Sequence, residues 1–288
     1  MRRHPTASSS REPMCSKATQ RGRRRALKKG PVVSGLVVLV AWLTVSFTPH
    51  YGGELIVLAV AAGPEAKSIA RGGLLYDKWW KGIPGAAEPK DDHPLWSSQT
   101  TNKGKGSATW RCKECHGWDY KGKDGAYGTG SHRTGFPGVW DAAQKKDVKE
   151  LAAILRGSAN KKHDFSSVLG GQDIADLANF LKDGLVDVTK YVDYKTKKPI
   201  GGDASRGKTL SVLCEGCHGA DGKKLNFGSE KEPEYLGTVA QKNPQEFLHK
   251  VRVGQPGSDP TMPSALVLGW SIQQAVDVLT HSQTLPEK

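Results

Sequence analysis

The sequence predicts an all-α fold arranged as two tandem repeats, on three observations. Apolar residues recur at helical spacing in four segments between residues 147 and 281, and no segment shows the two-residue alternation of a strand. The pentapeptide Cys-x-x-Cys-His occurs twice, as Cys112–His116 and Cys214–His218. Each copy is followed by the same order of helix, glycine stop, loop and closing helix, the mark of an internal repeat.

The chain begins with a basic tail, residues 1–30, holding ten Lys/Arg and one acid. Pro31 to Thr48 then carries no charged residue, which reaches the lower limit of a membrane span. Basic residues ahead of an apolar run keep their end in the cytoplasm and send the remainder across. Residues 31–62 are therefore expected to be an anchor or a signal segment. Ala59-Val60-Ala61 resembles a cleavage site, but Pro49, His50 and Glu54 interrupt the stretch leading to it, so an uncleaved apolar helix is the expectation. Cys15 lies before this run and is expected to be an inert thiol. Most of the formal charge of +13 belongs to the tail, which argues against nucleic-acid binding by the rest.

Residues 63–186 form the first expected domain. Asp147 to Arg156 reads as a helix with Val148, Leu151, Ala152 and Leu155 on one face, ended by Gly157. Residues 172–182 close it, with Ile174, Leu177, Ala178 and Leu181 inward. Lys81 to Ala108 is an insertion without counterpart in the second copy. Six of the eight tryptophans fall between residues 79 and 140, and they are expected to line the site at the first Cys-x-x-Cys-His turn and pin that insertion, with a partner-docking surface as the alternative. Residues 187–201 read as a linker. In the second domain, residues 202–286, Lys208 to Leu213 is a short helix delivering Cys214. Pro244 to Val253 and Ser271 to His281 are two further helices.

The repeated pentapeptide carries the chemistry. Two intervening residues put both cysteines on one turn, and the histidine follows directly; this is the attachment signature of c-type haem. Cys112, Cys115, Cys214 and Cys217 would form thioethers to haem vinyl groups, with His116 and His218 on the proximal side of each iron. Zinc ribbons also use Cys-x-x-Cys pairs, but here the pairs lie about a hundred residues apart and both carry the adjacent histidine. Two covalently bound haem c groups are the expectation.

At these residues each half resembles a bacterial class I cytochrome c domain, and the pair resembles the dihaem cytochromes c. The resemblance covers most of residues 66–286. It is strongest over residues 202–281, where Gly-Asp-x-x-x-Gly, Cys-x-x-Cys-His-Gly and a later Met-Pro follow the family's order. It implies tandem class I cytochrome c domains, first and last helices crossing in each, and haem among them. It also implies Met262, 44 residues after His218, as the sixth ligand of the second iron. The first copy departs from the family because it contains no methionine. Superimposing the copies puts His163 at the place of Met262, so a His116/His163 pair is expected, with His132, His93 or an open position as alternatives. His249 and His281 are expected at the surface.

Imidazole stabilises ferric iron more than thioether does, so the first haem is expected at the lower potential, with electrons running toward the second. The implied function is electron transfer between respiratory partners on the periplasmic side, with no small-molecule substrate, because two six-coordinate irons leave no site for one. The alternatives are a cytochrome subunit of a larger oxidoreductase and a dihaem peroxidase, which needs an iron that opens. Lys113, Lys121 and Lys123 flank the first motif as candidates for steering an acidic redox partner.

Overall fold

A computed structural model describes residues 63–288. The tail 1–30, the apolar run and Cys15 lie outside the described residues. Among those described, no helix is long and apolar enough to cross a membrane. The described residues are helical, and their only β pairing is three isolated bridges.

Five helices come first: α1 (Pro64–Gly82), α2 (Cys112–His116), α3 (Trp140–Lys145), α4 (Val148–Leu155) and α5 (Gly171–Asn179). Four follow: α6 (Ala204–His218), α7 (Leu236–Lys242), α8 (Pro244–Val253) and α9 (Ile272–Ser282). Their starts are written in the sequence. Asp147 accepts the Glu150 N–H while Glu150 accepts the Asp147 N–H, a reciprocal cap that opens α4. Ser271 and Gln274 repeat it at α9, and Asp203 accepts the Ser205 and Arg206 N–H groups at α6. The faces expected to turn inward do so: Leu151, Leu155, Ile174, Leu177, Phe247, Leu248, Val276 and Leu279 are buried.

Two crossings organise the helices, and they are built alike. α1 lies on α5, where a Cβ on Gly72 would sit 2.0 Å from the Asp176 carbonyl. α6 lies on α9, where a Cβ on Gly207 would sit 1.9 Å from the Asp277 carbonyl. The residue before each glycine reaches across: Arg71 bonds Asp176 at 2.6 Å and Arg206 bonds Asp277 at 2.9 Å. Only glycine lets the backbones approach so closely.

One continuous apolar core runs through both sets of helices. α8 packs on α1, with Val253 against Gly73. Between them the Asp77 carboxylate is 0 % exposed and paired with both Arg111 and Lys250. Burial alone would raise its pKa, but Lys250 and Arg111 hold it well below the usual carboxylate range. His249, expected at the surface, is 1 % exposed. It bonds the Tyr120 hydroxyl and the Gly73 carbonyl at 3.0 Å each, among the rings of Tyr76, Phe180 and Trp118. The expected linker 187–201 is not a loose tether, because Val188 and Val192 are buried in the same core.

Candidate haem sites

The first site begins where the insertion ends. Arg111 leads directly into α2, which contains Cys112 and Cys115 and stops at Gly117, a residue with φ +78° that a side chain would strain. Gly219 (φ +80°) ends α6 after His218 in the same way. The Tyr76 hydroxyl of α1 donates to the Gly117 carbonyl at 2.7 Å and ties the turn to the first helix crossing.

A cleft lies against this turn, lined by Cys112, Cys115, His116 and His163, with Trp110 and Phe165 as apolar walls. His116 Nδ1 bonds the Pro137 carbonyl at 2.7 Å. That contact fixes the tautomer and leaves Nε2 as the lone-pair donor. His163 reaches the same cleft from a short turn set by Asn160, whose side chain accepts the Lys162 N–H and whose carbonyl accepts the His163 N–H. The two imidazole centroids stand 6.2 Å apart with planes at 77°. An imidazole nitrogen lies about 2 Å from a bound metal, which puts two trans imidazoles about 6 Å apart, centroid to centroid. The pair therefore fits a single iron between the rings.

Burial sets the protonation of the group. It drives the His116 imidazole down to about 4, against a partial offset from the Pro137 carbonyl, so the ring is neutral at pH 7. Burial likewise lowers His163, offset in part by the Ile154 backbone. Burial pushes the Cys112 and Cys115 thiols up to about 12.

His93, from the insertion, is buried and shares the cleft; burial first, then His163 and His116, hold it neutral at about 4. His132 does not reach the cleft. It bonds Glu114 at 3.1 Å and stacks on Tyr127. Of the six tryptophans Trp110 alone lines the cleft; Trp79, Trp80, Trp96 and Trp118 are buried away from it, and the Trp96 and Trp110 N–H groups donate to Gly104 and Asp91 and hold the insertion down. Of the three candidate steering lysines, Lys113 is buried against Glu114 and over Trp118, and Lys121 pairs with Asp187. Lys123 alone of the three lies half exposed, paired with its neighbour Asp124.

The second motif lies at the end of α6. Its surroundings are apolar and open: Val212 is 61 % exposed and Leu213 67 %, with Leu225 and Phe227 exposed beside them. Four of the five large exposed apolar residues among those described thus flank Cys214–His218, and the Phe227 ring lies 5.8 Å from His218. Such a patch fits a large apolar prosthetic group. A smaller cleft beside His218 is lined by Ser211, Cys214, Leu236, Leu285 and His281, the last being a residue expected at the surface. His218 Nδ1 is buried with no hydrogen-bond partner among the described residues. Met262 is not among the residues lining that cleft. Its N–H donates to Ser258 Oγ at 2.8 Å and its carbonyl faces Gly254, next to Leu74 of α1.

Cys112, Cys115 and His116 thus share one cleft with a second imidazole, His163, an arrangement that fits a covalently held haem. Residues 101–184 match the family model for cytochrome c. The match supports a cytochrome c domain over that stretch, a family whose members hold covalently bound haem c for electron transfer. The match falls on the first motif, whereas the sequence resemblance was strongest over residues 202–281. No curated protein and no solved structure matches the chain.

The resemblance implied a crossing of first and last helices in each half; what sequence reasoning missed was the arginine-glycine contact on which each crossing is built. Its signal was the dipeptide Arg-Gly, present at Arg71-Gly72 and Arg206-Gly207. It was obscured because the insertion places the first of these 40 residues before its motif and the second only seven.

Proposed function

We propose that the chain is a dihaem c-type cytochrome passing electrons between redox partners on the periplasmic side of a bacterial membrane, to which residues 31–48 anchor it. The observation that carries this reading is the first cleft, where two thiols and two imidazoles meet with the 6.2 Å spacing of a shared iron. Bound haem supplies one-electron exchange between ferric and ferrous iron.

In this reading Cys112 and Cys115 would hold the first haem, His116 and His163 would supply its iron with nitrogen ligands, and Trp110 and Phe165 would exclude water. Cys214 and Cys217 fasten the second, with His218 proximal and Met262 distal. The exposed Val212, Leu213, Leu225 and Phe227 support a haem there. Met262 is the only methionine after Met14, which supports its assignment. The two ligand sets place the first haem at the lower potential and direct electrons toward the second. The continuous core between the two crossings holds the donor and acceptor sites in one body.

The test is haem content. The mature chain should carry two haem masses by mass spectrometry, and Cys112→Ser/Cys115→Ser and Cys214→Ser/Cys217→Ser should each remove one. A wild-type chain carrying one haem would refute the dihaem reading.

A further inference from the structure

The first cleft holds three imidazoles, and their hydrogen bonds make them unequal. His116 is anchored by the Pro137 carbonyl at 2.7 Å. His163 Nδ1 is buried without a well-formed hydrogen bond among the described residues, the Ile154 backbone being only a loose neighbour, and its turn carries the exposed Lys161 and Lys162. A ligating imidazole without an outer partner holds metal more weakly, typically by about 10–100-fold. Of the two axial imidazoles, His163 is the one that can leave.

His93 has a third character. It is 6 % exposed, and its Nδ1 accepts the Leu95 N–H at 3.2 Å. The ring proton therefore sits on Nε2, which has no partner among the described residues. A protonated nitrogen has no lone pair for a metal, but it donates a hydrogen bond. The ring is fixed at 4.7 Å from Trp110, 5.3 Å from Phe165 and 6.3 Å from His163. The His93 N–H bonds Thr109 Oγ1 at 2.8 Å, which sets the strap in place. The second site has no such strap, because α6 runs straight into Cys214.

We propose, resting on the haem reading above, that the first site opens. His163 yields its position to a small ligand of the cyanide class, which then accepts a hydrogen bond from His93 Nε2. The exchange replaces one lone-pair donor by another: the iron–His163 bond breaks, the iron–ligand bond forms, and no electron moves. The aromatic walls restrict the entrant to a few atoms. The first site is thereby an electron-transfer haem with a gated ligand position.

The test is cyanide titration of the purified ferric holo-protein, followed by absorption and electron paramagnetic resonance. One haem should bind cyanide, and His163→Ala, which removes the competitor, should bind it at least about tenfold more tightly. His93→Phe should weaken binding by about tenfold, the worth of one buried hydrogen bond, and His93→Gln, which restores an N–H donor, should recover most of it. Wild-type protein unaltered at saturating cyanide would overturn the proposal, as would equal affinities in His93→Phe and wild type. Cyanide binding abolished by Met262→Ala, or confined to the second haem, would overturn it too. A resting spectrum unchanged in His163→Ala would instead overturn the axial pair itself, so the two failures are distinct.

Discussion

Asp77→Asn is the sharpest test of how the two sets of helices are joined. The carboxylate is fully buried and faces two cations from different parts of the chain, Arg111 ahead of the first motif and Lys250 on α8. An amide of the same shape leaves both cations close together with no counter-charge. Breaking a buried pair from one side costs about 3–5 kcal/mol. Arg111 and Lys250 keep 18 % and 15 % side-chain exposure, so the lower end, about 3 kcal/mol, applies. For a body of this size that is a fall of roughly 6–12 °C in Tm. The pH dependence follows from the depressed pKa. The pairing is fully present above the unfolded value of about 3.9 and is lost as pH falls toward the folded value. Wild-type Tm should therefore drop more steeply than that of Asp77→Asn below about pH 4. Thermal melts of the holo-protein by circular dichroism from neutral to acid pH measure both. A loss under about 2 °C, or parallel acid slopes, would refute the argument.

Other expectations follow from single contacts. Gly207→Ala should destabilise by at least about 2 kcal/mol, because its Cβ meets the Asp277 carbonyl, while Gly171→Ala, with nothing within 4 Å, should be near neutral; denaturant midpoints separate them. Arg206→Ala should shift the midpoint less than Gly207→Ala, since its side chain is 58 % exposed and solvent screens the pair, although Asp277 is buried. His163→Ala should convert the first haem from low to high spin, read by electron paramagnetic resonance, and leave the second unchanged.

The helices were legible where local signals were complete. Asp147 with Glu150 and Ser271 with Gln274 announce their caps, and Pro244 and Gly254 bracket α8 at both ends. Spacing alone put Cys112, Cys115 and His116 on one turn, and aligning the copies pointed to His163, which lines the same cleft. What sequence could not supply was pairing across distance. Lys113 reads as a surface charge, yet Glu114 and Trp118 accept it inside. His249 sits on an amphipathic helix and reads as solvent-facing, yet Tyr120 and the Gly73 carbonyl satisfy both ring nitrogens in the core. In each case a residue's polarity is the same in sequence, and only its partner, more than a hundred residues away for His249, decides burial.

Potentiometric titration of the holo-protein, alongside His163→Ala and Met262→Ala, tests the central claim most directly. Two one-electron transitions are predicted, the lower moved only by His163→Ala and the higher only by Met262→Ala. A single transition, or both substitutions shifting the same haem, would contradict a two-step path built from unlike ligands on like attachment turns.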